Sequence, residues 1–302
     1  MTVFRSVSEV ARPCAVALGN FDGVHLGHQA VIQAVLGRPG VPTVLTFDPH
    51  PREYFSGRTG FLLAPERERS SQILALGIAQ IVVLPFDERL ASTEAHRFVE
   101  EVLVEGLRAR FVSVGWNFRF GKDRLGNTEM LQSCARAYQF DIEILAERQI
   151  EGQRVSSSAI RTALASGDVE RARLLLGRSY SLEGEIGRGD QRGRLLGFPT
   201  ANLQVSERKF LPGDGVYLVR AHWGSQRRWG LFNLGVRPTF GGERRTLEVH
   251  VLDWQGDLYG QSMKITLEHY LRAEKKFASV GELIEQLHRD RDQAERLIAR
   301  GI

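Results

Sequence analysis

Residues 14–18, Cys-Ala-Val-Ala-Leu, form an unbroken apolar run that ends in Gly19-Asn20-Phe21-Asp22-Gly23-Val24-His25-Leu26-Gly27-His28. Residues 29–36 then follow helical apolar spacing. A buried strand that passes through a glycine-rich turn into a helix is a unit of parallel sheets joined by helices. The turn also fixes where chemistry can sit. A helix N-terminus offers free N–H groups and the positive end of its dipole, and so attracts phosphate. Gly27 lets a bulky ligand approach the backbone closely. His25 and His28, at i and i+3 around the turn, can hydrogen-bond phosphate oxygens while charge builds up on them. Zinc suits the pair poorly: no third ligand stands nearby, and the helical zinc motif spaces its histidines i, i+4.

The rest of the first half alternates in the same way. Residues 42–47, 81–84, 111–114 and 141–145 are short β-rich runs, and 65–76, 92–105 and 128–138 read as helices. The pattern predicts a Rossmann-like parallel sheet with helices on both faces, whose ligands bind beyond the carboxyl ends of the strands. Two more helices are predicted at 157–166 and 168–176, with Gly167 stopping the first and Asp168 capping the second. After Gly177 glycines crowd at 184, 187, 189, 193 and 197, and β runs follow at 216–221, 229–233, 246–252 and 263–271. Closely spaced strands with turn signals predict a small antiparallel barrel, and 280–300 reads as a closing amphipathic helix. The expected domains are 1–180 and 181–302.

A chain of 302 residues with 42% hydrophobic and 25% charged residues can fill two soluble cores. No apolar run reaches the roughly 18 residues of a membrane span, and residues 1–12 hold no secretory apolar region. Cys14 and Cys134 make no disulfide framework, which suits reduced thiols in the cytoplasm. The formal charge of +4 and pI near 9.3 would serve nucleic acid or small anions equally. An RNA-binding barrel would need aromatics interleaved with basic residues along its strands. Trp223 and Trp229 beside Arg227 and Arg228 are the sole hint, and a hairpin rim explains them as well. No nucleic-acid or membrane partner is expected.

Two glycine-rich stretches are set aside. Residues 115–122 have five residues between their glycines and Asp123 where a P-loop needs Ser or Thr. Gly187-Arg188-Gly189 with Gly193 lacks dinucleotide-fingerprint spacing. The His25–His28 turn resembles the HxGH signature of nucleotidyltransferases. It is followed by Thr46-Phe47-Asp48-Pro49-His50-Pro51, Gly115-Trp116-Asn117-Phe118-Arg119-Phe120-Gly121 and Ser156-Ser157-Ser158-Ala159-Ile160-Arg161. In the second half come Gly197-Phe198-Pro199-Thr200-Ala201-Asn202, Asn233-Leu234-Gly235-Val236-Arg237-Pro238-Thr239-Phe240, Glu248-Val249-His250, Asp257-Leu258-Tyr259-Gly260 and Leu271-Arg272-Ala273-Glu274. In this order the set resembles the prokaryotic bifunctional riboflavin kinase/FAD synthetase family over nearly the whole chain. The segments from Pro199 onward resemble flavokinases most specifically. Asn117 stands where many members carry Asp, Ser158 where many carry Thr, and Trp254 where Phe is common.

The resemblance implies an α/β nucleotidyltransferase domain followed by a β-barrel flavokinase domain with a C-terminal helix. It implies phosphorylation of riboflavin to FMN in the barrel and adenylylation of FMN to FAD in the first domain, both with ATP and Mg2+. It also implies the site residues. His25 and His28 act on the ATP phosphates, within a turn whose Gly19, Phe21, Asp22 and Gly27 bind ATP. Ser157, Ser158 and Arg161 form a second phosphate-binding group, although serines there also suit a plain helix cap. Asn117, Phe118 and Phe120 suit a flat flavin ring, and Phe118 suits core packing equally. His50 lines the same cleft or stiffens a loop. In the barrel Glu248 is the general base, on one strand face with His250. Thr200 and Asn202 serve magnesium–ATP. Gly184, Gly187 and Gly189 form a loop over the ATP phosphates, with Arg194 beside it, and Arg272 and Glu274 serve the flavin side.

Overall fold

The computed structural model describes residues 3–187, 198–239 and 242–301. By internal packing the chain divides into two units, the first ending at Ser157 and the second beginning at Ser158. The first is built on β1 (Val3–Phe4), β2 (Cys14–Leu18), β3 (Val41–Asp48), β4 (Gln80–Pro85), β5 (Phe111–Gly115) and β6 (Asp141–Leu145). These strands are all parallel and lie in the order β1-β4-β3-β2-β5-β6. Strand β2 is buried along its whole length because helices cover both faces of the sheet. Its alternation splits it between two cores. Val16 and Leu18 pack with Phe98, Leu103 and Val112, whereas Ala15 and Ala17 pack with Phe21, Ile32 and Ile73.

The covering helices are α1 (Leu26–Gln33), α2 (Pro51–Ser56), α3 (Glu66–Leu74), α4 (Glu88–Ser92), α5 (Ala95–Phe98) and α6 (Thr128–Tyr138). Two depart from expectation. Helix α1 begins at Leu26 rather than 29, because the His25 side chain caps it. The single helix expected over 92–105 is broken: the hydroxyls of Ser92 and Thr93 donate back to the Arg89 carbonyl and end α4. Helix α5 then runs into a π-helical stretch, Val99–Gly106. A two-residue hairpin, β7 (Gln149–Ile150) and β8 (Gln153–Arg154), precedes the second unit.

Helix α7 (Ser157–Ala165) starts at the division, and α8 (Val169–Leu176) follows with Asp168 as its cap. The antiparallel barrel comprises β9 (Ser181–Gly187), β10 (Ala201–Val205), β11 (Gly215–Trp223), β12 (Gln226–Thr239), β13 (Gly242–Val251) and β14 (Ser262–Arg272). It is closed in the order β10-β13-β12-β11-β14-β9. Helix α9 (Val280–Ala299) lays Ala294 against Leu218, Leu231 and Leu252. Trp223 and Trp229 lie on the β11–β12 hairpin, where Trp223 packs on Trp254 and Arg220 stacks over Trp229.

The expected glycine loop needs correction. Gly184 and Gly187 lie in β9, paired with Val205 and Asn202 of β10. A Cβ at Gly184 would stand 1.9 Å from the Gln204 carbonyl oxygen, so glycine permits close strand packing there. Gly189 and Arg194 lie outside the described residues. Among the described residues no helix is long and apolar enough to cross a membrane.

Candidate active sites

In the first unit, β2 is the strand from which the sheet grows both ways: β3 lies on one side and β5 on the other. The crevice at the carboxyl ends of β2 and β5 is the topological switch point, where such sheets bind ligands. The turn with His25 and His28 leaves β2 there, and the segment with Asn117 leaves β5 beside it.

The turn is strained and heavily held. Phe21, Gly23 and Val24 have φ of 51°, 84° and 40°. A left-handed β-branched residue is costly and persists only where its surroundings enforce it. Gly19 makes room for the Phe21 ring, and Phe21 is 1% exposed. The Asp22 carboxylate accepts the Ala64 N–H at 3.1 Å, and its carbonyl accepts the Ser157 hydroxyl at 2.8 Å. Arg69, buried in α3, donates to the carbonyls of Asn20 (3.1 Å) and Phe47 (3.0 Å). Thr46 adds a bond to Asn20 at 3.2 Å. Sequence reasoning missed Arg69, because nothing in a helix of mostly polar residues marks which arginine turns inward.

His25 is the N-cap of α1 and accepts the His28 N–H on Nδ1 at 3.2 Å. A neutral imidazole that accepts on Nδ1 carries its proton on Nε2, which remains a donor. The two rings stack with centroids 3.5 Å apart, and Phe21 meets His28 edge-on at 5.4 Å. A Cβ on Gly27 would come within 3.2 Å of the His25 ring, so glycine gives the ring room to lie back over the helix start. The first turn of α1 carries no acidic side chain to oppose an anion.

The segment after β5 divides by residue. Asn117 is exposed and Phe118 half-buried. Phe120 is 7% exposed and belongs to the core with Phe98, which accounts for it without a ligand. The Phe118 and Phe120 rings stack at 5.5 Å. Gly121 and Gly126 both pack on Ala95, where a Cβ on either would fall within 2.8 Å. His50 caps α2 and meets Phe61 edge-on at 5.3 Å, so it holds a loop. Ser158 and Arg161 lie in the first turns of α7.

In the second unit, strand register brings polar groups from separate segments into one row. Asn202 of β10 pairs with Glu248 of β13, and Glu248 pairs with Asn233 of β12. Directly paired residues share a face, so Asn202, Glu248 and Asn233 line up while Leu247 and Val249 point into the barrel. Gly187, opposite Asn202 on β9, has no side chain of its own, and the Gln204 side chain fills the space a Cβ there would take. Asn233 was not singled out from the sequence; only the register reveals it. Thr200 immediately precedes β10 and is half-buried.

Arg272 and Glu274 are engaged within the protein. The Arg272 guanidinium forks onto Asp290 of α9 with two bonds of 2.8 Å, and Asp290 is 1% exposed. The Glu274 carboxylate accepts the Val236 N–H at 3.4 Å and lies against Gly235.

A family model described as FAD synthetase matches residues 7–159, and one described as riboflavin kinase matches 176–298. Proteins named bifunctional riboflavin kinase/FMN adenylyltransferase are similar over most of their length. That of Pseudomonas fluorescens is 38% identical, covering 95% of this chain and 94% of its own. That of Escherichia coli K12 is 39% identical, covering 92% and 90%. That of Bacillus subtilis is 35% identical, covering 96% and 94%. A solved Streptococcus pneumoniae structure, described as a macrolide-efflux protein, superposes with a TM-score of 0.86 at 28% identity, covering 97% of this chain and 98% of its own.

Proposed function

The chain belongs to the bifunctional riboflavin kinase/FMN adenylyltransferase family, and on that premise we propose how its residues divide the two reactions. It phosphorylates riboflavin to FMN at the expense of ATP, then transfers the adenylyl group of a second ATP to FMN, giving FAD and pyrophosphate. We assign residues 1–180 to adenylyl transfer and 181–302 to the kinase. The cytoplasm, where its two thiols stay reduced, is its place of action.

In adenylyl transfer an FMN phosphate oxygen attacks the α-phosphorus of ATP as the bond to pyrophosphate breaks. The protein supplies alignment and neutralisation rather than a covalent intermediate. His25 donates from Nε2, and His28 stands stacked beside it, at a helix start where anions are favoured. Gly19, Phe21 and Asp22 act through the backbone shape of the turn, since the two side chains are buried. Ser157, Ser158 and Arg161 provide further phosphate contacts. Asn117 and the exposed edge of Phe118 take the flavin ring, with Phe120 supporting Phe118 from the core.

In the kinase reaction the terminal riboflavin hydroxyl attacks the γ-phosphorus, and Glu248 accepts its proton. Neutral oxygens at Thr200 and Asn202, beside that carboxylate, fit Mg2+, which takes few protein ligands and keeps water and phosphate as the rest. Mg2+ when bound offsets negative charge on the phosphates. Gly184 lets β9 and β10 pack closely and Gly187 makes room for the Gln204 side chain beside Asn202, and Gly189 and Arg194 are assigned to the phosphates on the family resemblance alone. Arg272 and Glu274 shape the flavin side through their bonds to Asp290 and Val236.

The observation that carries this reading is the row Asn202–Glu248–Asn233, which joins three separate flavokinase motifs on one barrel face. The test is incubation with riboflavin, ATP and magnesium, with chromatographic separation of riboflavin, FMN and FAD over time. FMN should appear before FAD, and EDTA should stop both. FAD formation from supplied FMN with no conversion of riboflavin would remove the kinase assignment.

A further inference from the structure

The β10–β13 ladder is short. It pairs Ala201 with Val249 and Asn202 with Glu248, and ends there. Continued by one step, the register would place Thr200 opposite His250. At that step a side chain replaces the ladder: His250 Nδ1 bonds the Pro199 carbonyl oxygen at 2.9 Å. The ring also packs on Phe198, with centroids 5.2 Å apart. Phe198, 6% exposed, also meets His288 of α9 edge-on, again at 5.2 Å. The segment that enters β10 is therefore fastened twice, by a hydrogen bond and by ring contacts. Both fastenings involve His250, two residues from Glu248.

We propose that His250 is a positioning residue of the kinase site, whose Nδ1–H to Pro199 holds Thr200 and Asn202 in register with Glu248 for the magnesium–nucleotide. The inference rests on reading Thr200 and Asn202 as the metal-side residues. Burial holds the His250 pKa below its ordinary value, so the ring is neutral at pH 7. A neutral ring that donates from Nδ1 to a carbonyl has one tautomer and one orientation. Pro199 and Phe198 gain nothing from an acid or base at position 250; what they require is a donor of the right reach and a flat packing surface.

That requirement sets the test. The amide nitrogen of asparagine lies at the same distance along the side chain as Nδ1, whereas that of glutamine lies where Nε2 would be. In the full chain, His250→Ala and His250→Gln should raise both the KM for MgATP and the half-saturating magnesium concentration of the kinase reaction about tenfold, the size of one lost hydrogen bond. His250→Asn should stay within about threefold of the parent, the loss expected when most of that bond is kept. The KM for riboflavin and the conversion of supplied FMN to FAD should not change. An equilibrium readout accompanies these. ADP binding, followed through the fluorescence of bound riboflavin, should weaken in His250→Ala with magnesium present and not in EDTA.

Asparagine performing no better than glutamine would overturn the proposal. So would an alanine variant that lowers kcat while leaving the magnesium response in place. Asn202→Ala separates the two levels. If it leaves the magnesium response unmoved, the metal-side reading fails and the register argument fails with it. If it shifts that response while His250→Ala does not, the role of His250 alone is overturned. Should His250→Ala not fold, the asparagine–glutamine comparison still decides.

Discussion

Nδ1 of His25 accepts the backbone N–H of His28 at 3.2 Å, while the two rings lie stacked 3.5 Å apart. One imidazole thus sets the start of α1 and fixes the position of the other. The cap uses Nδ1 of His25 as an acceptor and so leaves the ring proton on Nε2. The pair packs as a unit, so a change in one ring alters the surroundings of the other.

His28→Ala should therefore suppress FAD formation by on the order of a hundredfold, the loss typical of one well-placed charge-stabilising donor. FMN should still accumulate from riboflavin. The check is a time course with both products separated. Equal loss of both activities in a folded variant would count against the division of labour.

Glu248→Gln keeps the shape of the side chain and removes its basic oxygen. FMN formation should fall by roughly a hundredfold to ten-thousandfold, with riboflavin and MgATP still bound. Single-turnover measurement at saturation decides it. A rate within about threefold of the parent would mean less than ~1 kcal/mol of missing stabilisation and no base role.

Gly184→Ala places a methyl group on the backbone of β10, where the ideal Cβ lies 1.9 Å from the Gln204 oxygen. Strands β9 and β10 must part, at a cost of about 2–3 kcal/mol. Chemical denaturation followed by tryptophan fluorescence should show a lowered midpoint, since Trp223, Trp229 and Trp254 lie in the second unit.

A fragment of residues 158–302 should fold and phosphorylate riboflavin, and one of residues 181–302 should be less stable. Glu170 of α8 bonds His269 of β14 at 2.5 Å, and Gly213 N–H bonds the Leu164 carbonyl at 2.8 Å. The shorter fragment loses both. Its melting temperature should be about 5–10 °C lower, as a loss of 1–2 kcal/mol produces in a domain of this size.

The folded-state pKa of His222 lies below its ordinary value of 6.5. Burial lowers it first, then Arg227, Lys264 and Arg220, with Glu268 opposing them. As pH falls, the unfolded chain takes up this proton before the folded one does. Stability is thus unaffected above the ordinary value, and declines as pH drops through it toward the lower folded value. Melting temperatures at pH 7.5 and 5.5 should differ less in His222→Gln than in the parent.

Much of this architecture is legible in the chain. The alternation of β2, with Val16 and Leu18 to one core and Ala15 and Ala17 to the other, looks in sequence like the continuous apolar run of a strand covered on both faces. The turn with His25 and His28 is identifiable because its glycines and its neighbours agree. What escapes falls into two kinds. Strand β9 carries Gly184 and Gly187, and glycine reads locally as a turn, although here it answers a neighbour 20 residues away. The early start of α1 escapes because His25 caps it, and histidine is not among the usual capping residues. The second kind is register. Asn233 joins Glu248 only once β12 and β13 are paired, and no local pattern encodes that pairing. Phe120 illustrates the converse: an aromatic in a ligand motif that serves the core.

Closure of the barrel has a consequence for how this protein meets its own copies. Among the described residues, six strands joined in a ring confine unpaired backbone groups to short stretches such as those beside the two-pair β10–β13 ladder, so the second unit is a poor template for strand addition. Among the described residues, the long open rail is β6, at the end of the parallel sheet. There the chain places carboxylates at Asp141 and Glu143, and ties the second to Arg38 at 2.7 Å. An extended peptide approaching that rail meets charged side chains that it must desolvate before it meets a hydrogen-bonding partner. One carboxylate and one ion pair thus flank the edge of a sheet whose interior is almost wholly apolar, and replacing both acidic residues with valine would turn that rim into a seed for aggregation.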